Sequence, residues 1–403
     1  MRAITQVHKY IIAGGGLTGA SAIDGIRELD KDGSILLIGS EQHKPYDRPP
    51  LTKKLWFGKK TVEQIFVHDD AYYHTNGVDL ALGVEVTHLD VVNKIVETSQ
   101  GGRYHYEKLL LATGGVPRRL GTPGGELDGL FYYRYLDDYL KLRSIVSEDK
   151  KAVAIGGGFI GSEMAAALNI NGVEVTIIFP GAYLVDRVFP EDLGQAVQRE
   201  FVKRGVRLLT GNTSTSIEAS GGEFITRTDQ GHEIMSDAVV VGVGIVPSTA
   251  LAEAAGLAVS NGIVVNDYLQ TSNLDIYAAG DNTRFYYQVL GKQTRVEHWD
   301  NALNQGKQAG RNMAGASEPY TYMPYFFSDL FDFGYEAVGD VDSRLEVFED
   351  WQDQYTTGVV YYLEDHKVRG AMMCNVWDKV PAARELIQSG RQMTTDDLRG
   401  AIH

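Results

Sequence analysis

Residues 152–163 read AVAIGGGFIGSE, and the fold follows from how this stretch is read. The apolar run ending at Ile155 predicts a buried strand, and the spacing of Ile160, Met164, Ala165 and Leu168 predicts a helix directly after it. Between them Gly156, Gly158 and Gly161 fill the glycine positions of G-x-G-x-x-G. Glycine is required there for a tight strand-to-helix turn, for bare backbone that a pyrophosphate can touch, and for close helix–strand packing. The phosphates then lie on the positive end of the helix. A single turn of this kind also occurs as a plain strand–helix connection. Here it occurs twice: residues 10–19, YIIAGGGLTG, place Gly14, Gly16 and Gly19 in the same slots after an apolar strand, with Leu17 and Thr18 between them. Two copies at domain-scale separation predict two dinucleotide sites, and hence two cofactors able to face each other.

Working outward from the first copy, a helix is expected to end near Leu29, followed by a polar break and a strand at 35–38. Glu41 then falls about 20 residues past the last motif glycine, where an acidic side chain hydrogen-bonds a ribose hydroxyl. Residues 45–54, PYDRPPLTKK, read as a proline-stiffened loop in which Arg48 and Lys53 can project cations toward an anion. Alternating strands follow around the Gly101-Gly102 turn and close at Ala112, Thr113 and Gly114. A breaker-rich stretch from Pro117 to Gly125 marks a domain crossover.

In the second copy the strand at 173–178 ends in Phe179-Pro180-Gly181, so Gly181 stands where Glu41 stands in the first. No Arg fills that slot either, and Asp186 lies a few residues on, so NADH and NADPH both remain open. The strand at 239–244 leaves this unit through Gly244. Further on, residues 276–281 form an apolar strand ending in Gly280-Asp281, which puts a carboxylate at the carboxyl edge of a parallel sheet. Residues 296–302, VEHWDNA, open a helix running through Met313. The last part, from Pro324, reads as strands through Met373 with helical patterns at 381–388 and 395–402, and with most of Phe326, Phe327, Phe331, Tyr361 and Tyr362 in its core.

The chain has 403 residues, 43% hydrophobic and 23% charged, enough for two or three domains and ordinary for a globular enzyme. Its net charge of −15 argues against a nucleic-acid partner, which requires clustered Lys and Arg. No apolar run reaches the length of a membrane span, and the first ten or so residues show neither a signal-peptide core nor a transit pattern, so a cytoplasmic location is expected. Cys374 is the single cysteine, which excludes any mechanism needing a redox-active cysteine pair.

The glycine motif at 14–19 with Glu41, the Thr113-Gly114 junction, the motif at 156–161 and Gly280-Asp281 together resemble the two-dinucleotide-domain flavoprotein reductases. The segments RPPLTKKLW, GGGFIGSE, VEHWDNA and FFSDLFDFGYEAVG, with VVYYLEDHKVRGAMMCNVWDKVPAAREL near the end, are similar to the ferredoxin-reductase and apoptosis-inducing-factor branch of that family. The resemblance implies an α/β fold of two Rossmann-like dinucleotide-binding domains, one for FAD and one for NAD(P), plus a C-terminal α+β domain. Residues 1–121 and 249–325 would bind FAD, 122–248 would bind NAD(H) or NADP(H), and 326–403 would form the C-terminal, interface domain. Carried over by position, Arg48 and Lys53 contact FAD, Lys53 pairs with Glu163 beside the flavin, and Phe159 lies on the nicotinamide side. Asp281 holds the ribityl chain, and Glu297 and His298, followed by Trp299, sit near the reactive rings. Lys53, Glu163, Phe159 and His298 are the catalytic candidates; Gly14, Gly16, Leu17, Thr18, Gly19, Glu41, Ala112, Thr113, Gly114 and Gly280 complete the FAD set, and Gly156, Gly158, Ile160, Gly161 and Gly244 the nucleotide set. No residue is assigned to a metal.

The activity so implied is hydride transfer from NAD(P)H to FAD, with electrons passed on to a ferredoxin, rubredoxin or Rieske-type protein. The second implied reading is an NADH-responsive flavoprotein whose slow reduction and charge-transfer complex control dimerisation or partner binding. A flavin-dependent disulfide reductase would need a cysteine close to the flavin; residues 47–53, where the resemblance implies such enzymes carry it, contain none, and Cys374 lies far off in the last domain. Arg118-Arg119 and Lys53-Lys54 with Lys59-Lys60 are the candidate basic patches for an acidic redox partner. Trp299 stands where apoptosis-inducing factor has a second histidine, and the long insertion of that protein's C-terminal domain is absent between Val341 and Thr357.

Overall fold

The structure, a computed structural model, describes residues 6–402 and divides into two compact units. The first comprises the chain up to Asp47, Val62–Val116 and Val246–Pro324; the second comprises Arg48–Thr61, Pro117–Ile245 and the chain from Tyr325 onward. Residues 1–5, part of the stretch searched for a leader, and residue 403 lie outside the described residues.

The first unit is built on the strand Gln6–Ala13, in which Tyr10, Ile11, Ile12 and Ala13 are fully buried. Ile35–Gly39 and Arg103–Leu111 flank it in parallel, Val78–Leu82 continues the sheet on one side, and Ile276–Ala278 runs parallel to Arg103–Leu111. Strands of a parallel sheet covered by helices read as continuous apolar runs, which is how residues 10–13 and 35–38 appear in the sequence. Ile95–Thr98 pairs antiparallel with Arg103–Leu111 across the turn through Gly101 and Gly102, and Val86–Asp90 pairs antiparallel with Ile95–Thr98 at the sheet edge. The helix Leu17–Leu29 lies against the helix Trp299–Met313 at backbone distance. A Cβ on Gly25 would stand 2.0 Å from the carbonyl oxygen of Lys307, and one on Gly310 2.1 Å from that of Ala22. A Cβ on Gly306 would stand 2.4 Å from the Thr18 carbonyl oxygen, so the contact reaches the helical turn that follows the first glycine loop.

The second unit contains a five-stranded parallel sheet in the order Arg207–Thr210, Glu174–Phe179, Lys151–Ile155, Ala238–Val241, Leu130–Phe131. The helix Phe159–Ile170 follows the central strand, its Met164, Ala165 and Leu168 fully buried. A three-stranded antiparallel sheet spans 214–236, and a five-stranded antiparallel sheet runs from Tyr325–Leu330 at one edge to Glu346–Asp353 at the other. The helix Val380–Ser389 buries Val380, Ala383 and Ile387.

Three local features depart from the sequence reading. Phe326, Phe327 and Phe331 are only partly buried, because the first two lie on the edge strand Tyr325–Leu330 and Phe331 in the turn after it; Tyr361 and Tyr362 are in the core as expected, at 0% exposure, and Tyr335 joins them there. The strand expected at 239–244 stops at Val241, where Gly242 turns its carbonyl against Gly156 and Gly244 takes φ +95°. The last helix spans only Thr395–Leu398, since Arg399 is extended and Gly400 is left-handed.

Candidate functional site

The six motif glycines sort by what a side chain would meet, and the sorting is the same in both units. At the first position, Gly14 (φ +135°) and Gly156 (φ +117°) would drive a Cβ to 2.0 Å from the Ala112 carbonyl oxygen and 2.4 Å from that of Gly242. At the third, Gly19 and Gly161 would put it 2.3 Å from the Gly14 carbonyl oxygen and 1.9 Å from that of Gly156. At the second, Gly16 and Gly158, nothing lies within 4 Å. Each of these two residues is the N-cap of its helix, makes no side-chain cap bond, and precedes a first turn without an acid. Open space over bare backbone at an uncapped helix start is a cradle for a phosphate. Both units therefore fit a dinucleotide on their own geometry.

In the first unit the remaining residues gather at the carboxyl edge of the sheet. Thr18 Oγ1 lies 2.5 Å from where a Gly280 Cβ would be, and the Gly280 N–H donates to Gln305 Oε1 at 2.8 Å. Thr113 Oγ1 donates to the Ser248 carbonyl at 2.8 Å and accepts from Asn282 Nδ2 at 2.9 Å. Glu41, just past Ile35–Gly39, accepts a 2.5 Å hydrogen bond from the Tyr46 hydroxyl. Arg295 donates to the Asp281 carbonyl at 2.9 Å and pairs with Glu297. His298 is the N-cap of Trp299–Met313; burial pushes its imidazolium down to about 4, opposed by the nearby Asp281, so the ring is neutral at physiological pH. Trp299 Nε1 donates to Asp47 at 2.8 Å, which fixes the indole.

In the second unit the segment 48–61 is a compact turn rather than the open loop its composition suggests. Pro49 and Pro50 start a 3₁₀ turn, Pro49–Thr52, and Thr52 and Lys53 are buried behind it. Lys53 Nζ lies 2.7 Å from Glu163 Oε1 with both side chains no more than 7% exposed. The same carboxylate accepts from Ser328 Oγ at 2.5 Å on Oε1 and from Thr52 Oγ1 at 2.5 Å on Oε2. A buried ion pair persists only when its remaining lone pairs are satisfied, and here two hydroxyls do so. The Lys53 ammonium stands 5.5 Å over the Phe327 ring, and Phe159 packs against Phe326 with centroids 5.8 Å apart. Burial holds the nearby Asp329 carboxyl above the usual range, with Lys53 pulling the other way. Ile160 is exposed on the first helical turn, and Arg48 lies 5.6 Å over the Tyr135 ring. The Gly244 carbonyl accepts from the Arg118 N–H at 2.9 Å.

Sequence reasoning missed Thr52, Ser328, Asp47, Asn282 and Gln305. Ser328, the lone hydroxyl in the apolar FFSDLF run, and Asn282, directly after Gly280-Asp281, carried a readable signal; the other three did not. Cys374 is fully buried, and its thiol is pushed well above the usual range by that burial, consistent with a packing role.

Residues 8–306 match the family model described as pyridine nucleotide-disulphide oxidoreductase, and residues 309–352 and 347–389 match the one described as apoptosis-inducing factor, mitochondrion-associated, C-term. The chain is 35% identical to apoptosis-inducing factor 1, mitochondrial, of Dictyostelium discoideum, over 98% of this chain and 80% of that protein. It is 34% identical to the ferredoxin–NAD(+) reductase component of the anthranilate 1,2-dioxygenase system of Burkholderia cepacia, over 94% of each. A solved ferredoxin reductase from Rhodopseudomonas palustris superimposes with a TM-score of 0.90 at 28% identity, covering 97% of this chain and 96% of that one.

Proposed function

The chain belongs to the pyridine nucleotide-disulphide oxidoreductase family and is an FAD-dependent NAD(P)H oxidoreductase, and we propose that its electrons go to a small iron–sulfur or rubredoxin-type protein. The observation that carries the reading is the repeated glycine pattern, closed at the first and third positions and open at the second, once in each unit. Bound FAD would accept a hydride from NAD(P)H and release the electrons one at a time. In this reading FAD is held by the 14–19 loop, Glu41, Asp281 and the start of the helix at Trp299, within residues 1–121 and 249–325. The nucleotide is held by the 156–161 loop within 122–248. Lys53 serves as a fixed cation for negative charge developing on reduction, held in place by Glu163. Neutral His298 offers a hydrogen bond without adding a charge, and Phe159 covers the nicotinamide side. A cytoplasmic address and a homodimer formed through residues 326–403 belong to the same proposal. Among the described residues no helix is long and apolar enough to cross a membrane.

The test is anaerobic addition of NADH or NADPH to the purified yellow protein, followed by oxidised ferredoxin or rubredoxin. Rapid bleaching and recovery of the flavin band on adding the redox protein are expected; no bleaching with either nucleotide would defeat the reading. The C-terminal match supports a second reading, in which NADH binding controls assembly. Slow bleaching, a persistent charge-transfer band and a mass shift in light scattering would favour it.

A further inference from the structure

The loop after Glu174–Phe179 bears on which pyridine dinucleotide the second glycine cradle takes, an inference resting on the dinucleotide reading of that cradle. In such folds an acid at the end of the second strand accepts a hydrogen bond from a ribose hydroxyl, whereas a cation there accommodates a 2′-phosphate. Here the strand runs into Pro180, Gly181 and Ala182, which carry neither. The space is filled from elsewhere: a Cβ on Gly181 would lie 2.5 Å from Oδ2 of Asp186. The carboxylate of Asp186 thus stands where an acidic side chain rooted at 181 would begin.

The backbone on both sides keeps it there. The Val185 N–H donates to the carbonyl of Gly157, inside the glycine loop, at 2.8 Å. Val185 takes φ +58°, a left-handed conformation that a β-branched residue rarely adopts. The carbonyl of Asp186 accepts from Ser343 Oγ at 2.6 Å. The loop is therefore tied to the cradle, while the Asp186 carboxylate is exposed and has no ion pair or hydrogen bond to a described residue. Arg187, next in the chain, forms no ion pair with it.

We propose that Asp186 is the specificity-determining residue for the nucleotide: its carboxylate accepts a hydrogen bond from the adenosine ribose of NADH and repels the 2′-phosphate of NADPH. The acid has moved from the strand end into the loop that folds back over it. No cation at 180–183 offsets the repulsion.

NADH and NADPH are titrated separately into the FAD-loaded protein after dithionite reduction, when no hydride can pass, with binding read from nucleotide fluorescence. NADH is expected to bind more tightly than NADPH by about tenfold or more. Asp186→Ala should weaken NADH by about tenfold, the scale of one charge-assisted hydrogen bond, and strengthen NADPH. Asp186→Asn should lose most of the discrimination, and Asp192→Asn, on the next helix, should leave both affinities unchanged. Equal affinities in the native protein, or an unchanged ratio in Asp186→Ala, would overturn the assignment while leaving the dinucleotide reading intact. If neither NADH nor NADPH binds, both the assignment and the dinucleotide reading fall.

Discussion

Glu163 holds three donors, and their removal should separate charge from hydrogen bonding. Glu163→Gln leaves the Lys53 ammonium buried without a counter-charge, so a loss of about 3–5 kcal/mol is expected in urea unfolding of the FAD-loaded protein. Ser328→Ala removes one hydrogen bond to a charged group and leaves the pair standing, for about 1.5–3 kcal/mol. Equal losses from the two would mean that the ion pair adds nothing beyond its hydrogen bonds. His298 gives a pH dependence. Its folded value, about 4, lies below the ordinary 6.5, so between these limits the folded state binds fewer protons than the unfolded one. The stability gained by keeping the ring neutral is full above 6.5 and is lost as pH falls toward 4. The Tm should drop through that window in the native protein, and the drop should flatten in His298→Asn.

At the level of elements, the strand–glycine–helix turns depend on contacts that leave no room for a methyl group. Gly161→Ala would force a Cβ to 1.9 Å from the Gly156 carbonyl oxygen, pushing the helix Phe159–Ile170 off its strand. Destabilisation of at least about 1–3 kcal/mol is expected from thermal melts, the cost of overpacking a close contact. A melt matching the native protein would show that the helix and strand are not packed as described. Both turns were legible from the sequence because their apolar strands, glycine spacing and helical period all agree. Residues 48–61 were less so. Their prolines read as a stiff loop, yet Pro49 and Pro50 set the φ of a 3₁₀ turn that buries Thr52 and Lys53. Nothing local announces such burial, because it depends on Glu163 and Ser328, which lie far along the chain.

Across the whole molecule, the division of labour was readable further than the detail of the site. Two glycine motifs and the strand ending in Gly280-Asp281 specify the parallel sheets, since each is a pattern of neighbours in sequence. The clamp on Glu163 and the indole bond from Trp299 to Asp47 join distant segments, so no periodicity encodes them. The same limit explains the aromatic misreading: Phe326 and Phe327 are as apolar as Tyr361 and Tyr362, and only the sheet order makes theirs an edge strand. What unites the molecule is one cradle per unit, each with a single position open to a ligand. Gly16 and Gly158 have extended, negative-φ backbones and empty surroundings, so alanine at either should leave the fold intact while covering the backbone a phosphate would approach. The decisive measurement is the flavin absorbance of purified Gly16→Ala and Gly158→Ala, before and after anaerobic NADH or NADPH, beside their melting curves. Folded but colourless Gly16→Ala, together with yellow Gly158→Ala that neither nucleotide bleaches readily, is expected; a Gly16→Ala protein that keeps its flavin, or a Gly158→Ala protein reduced as fast as the native chain, would contradict it.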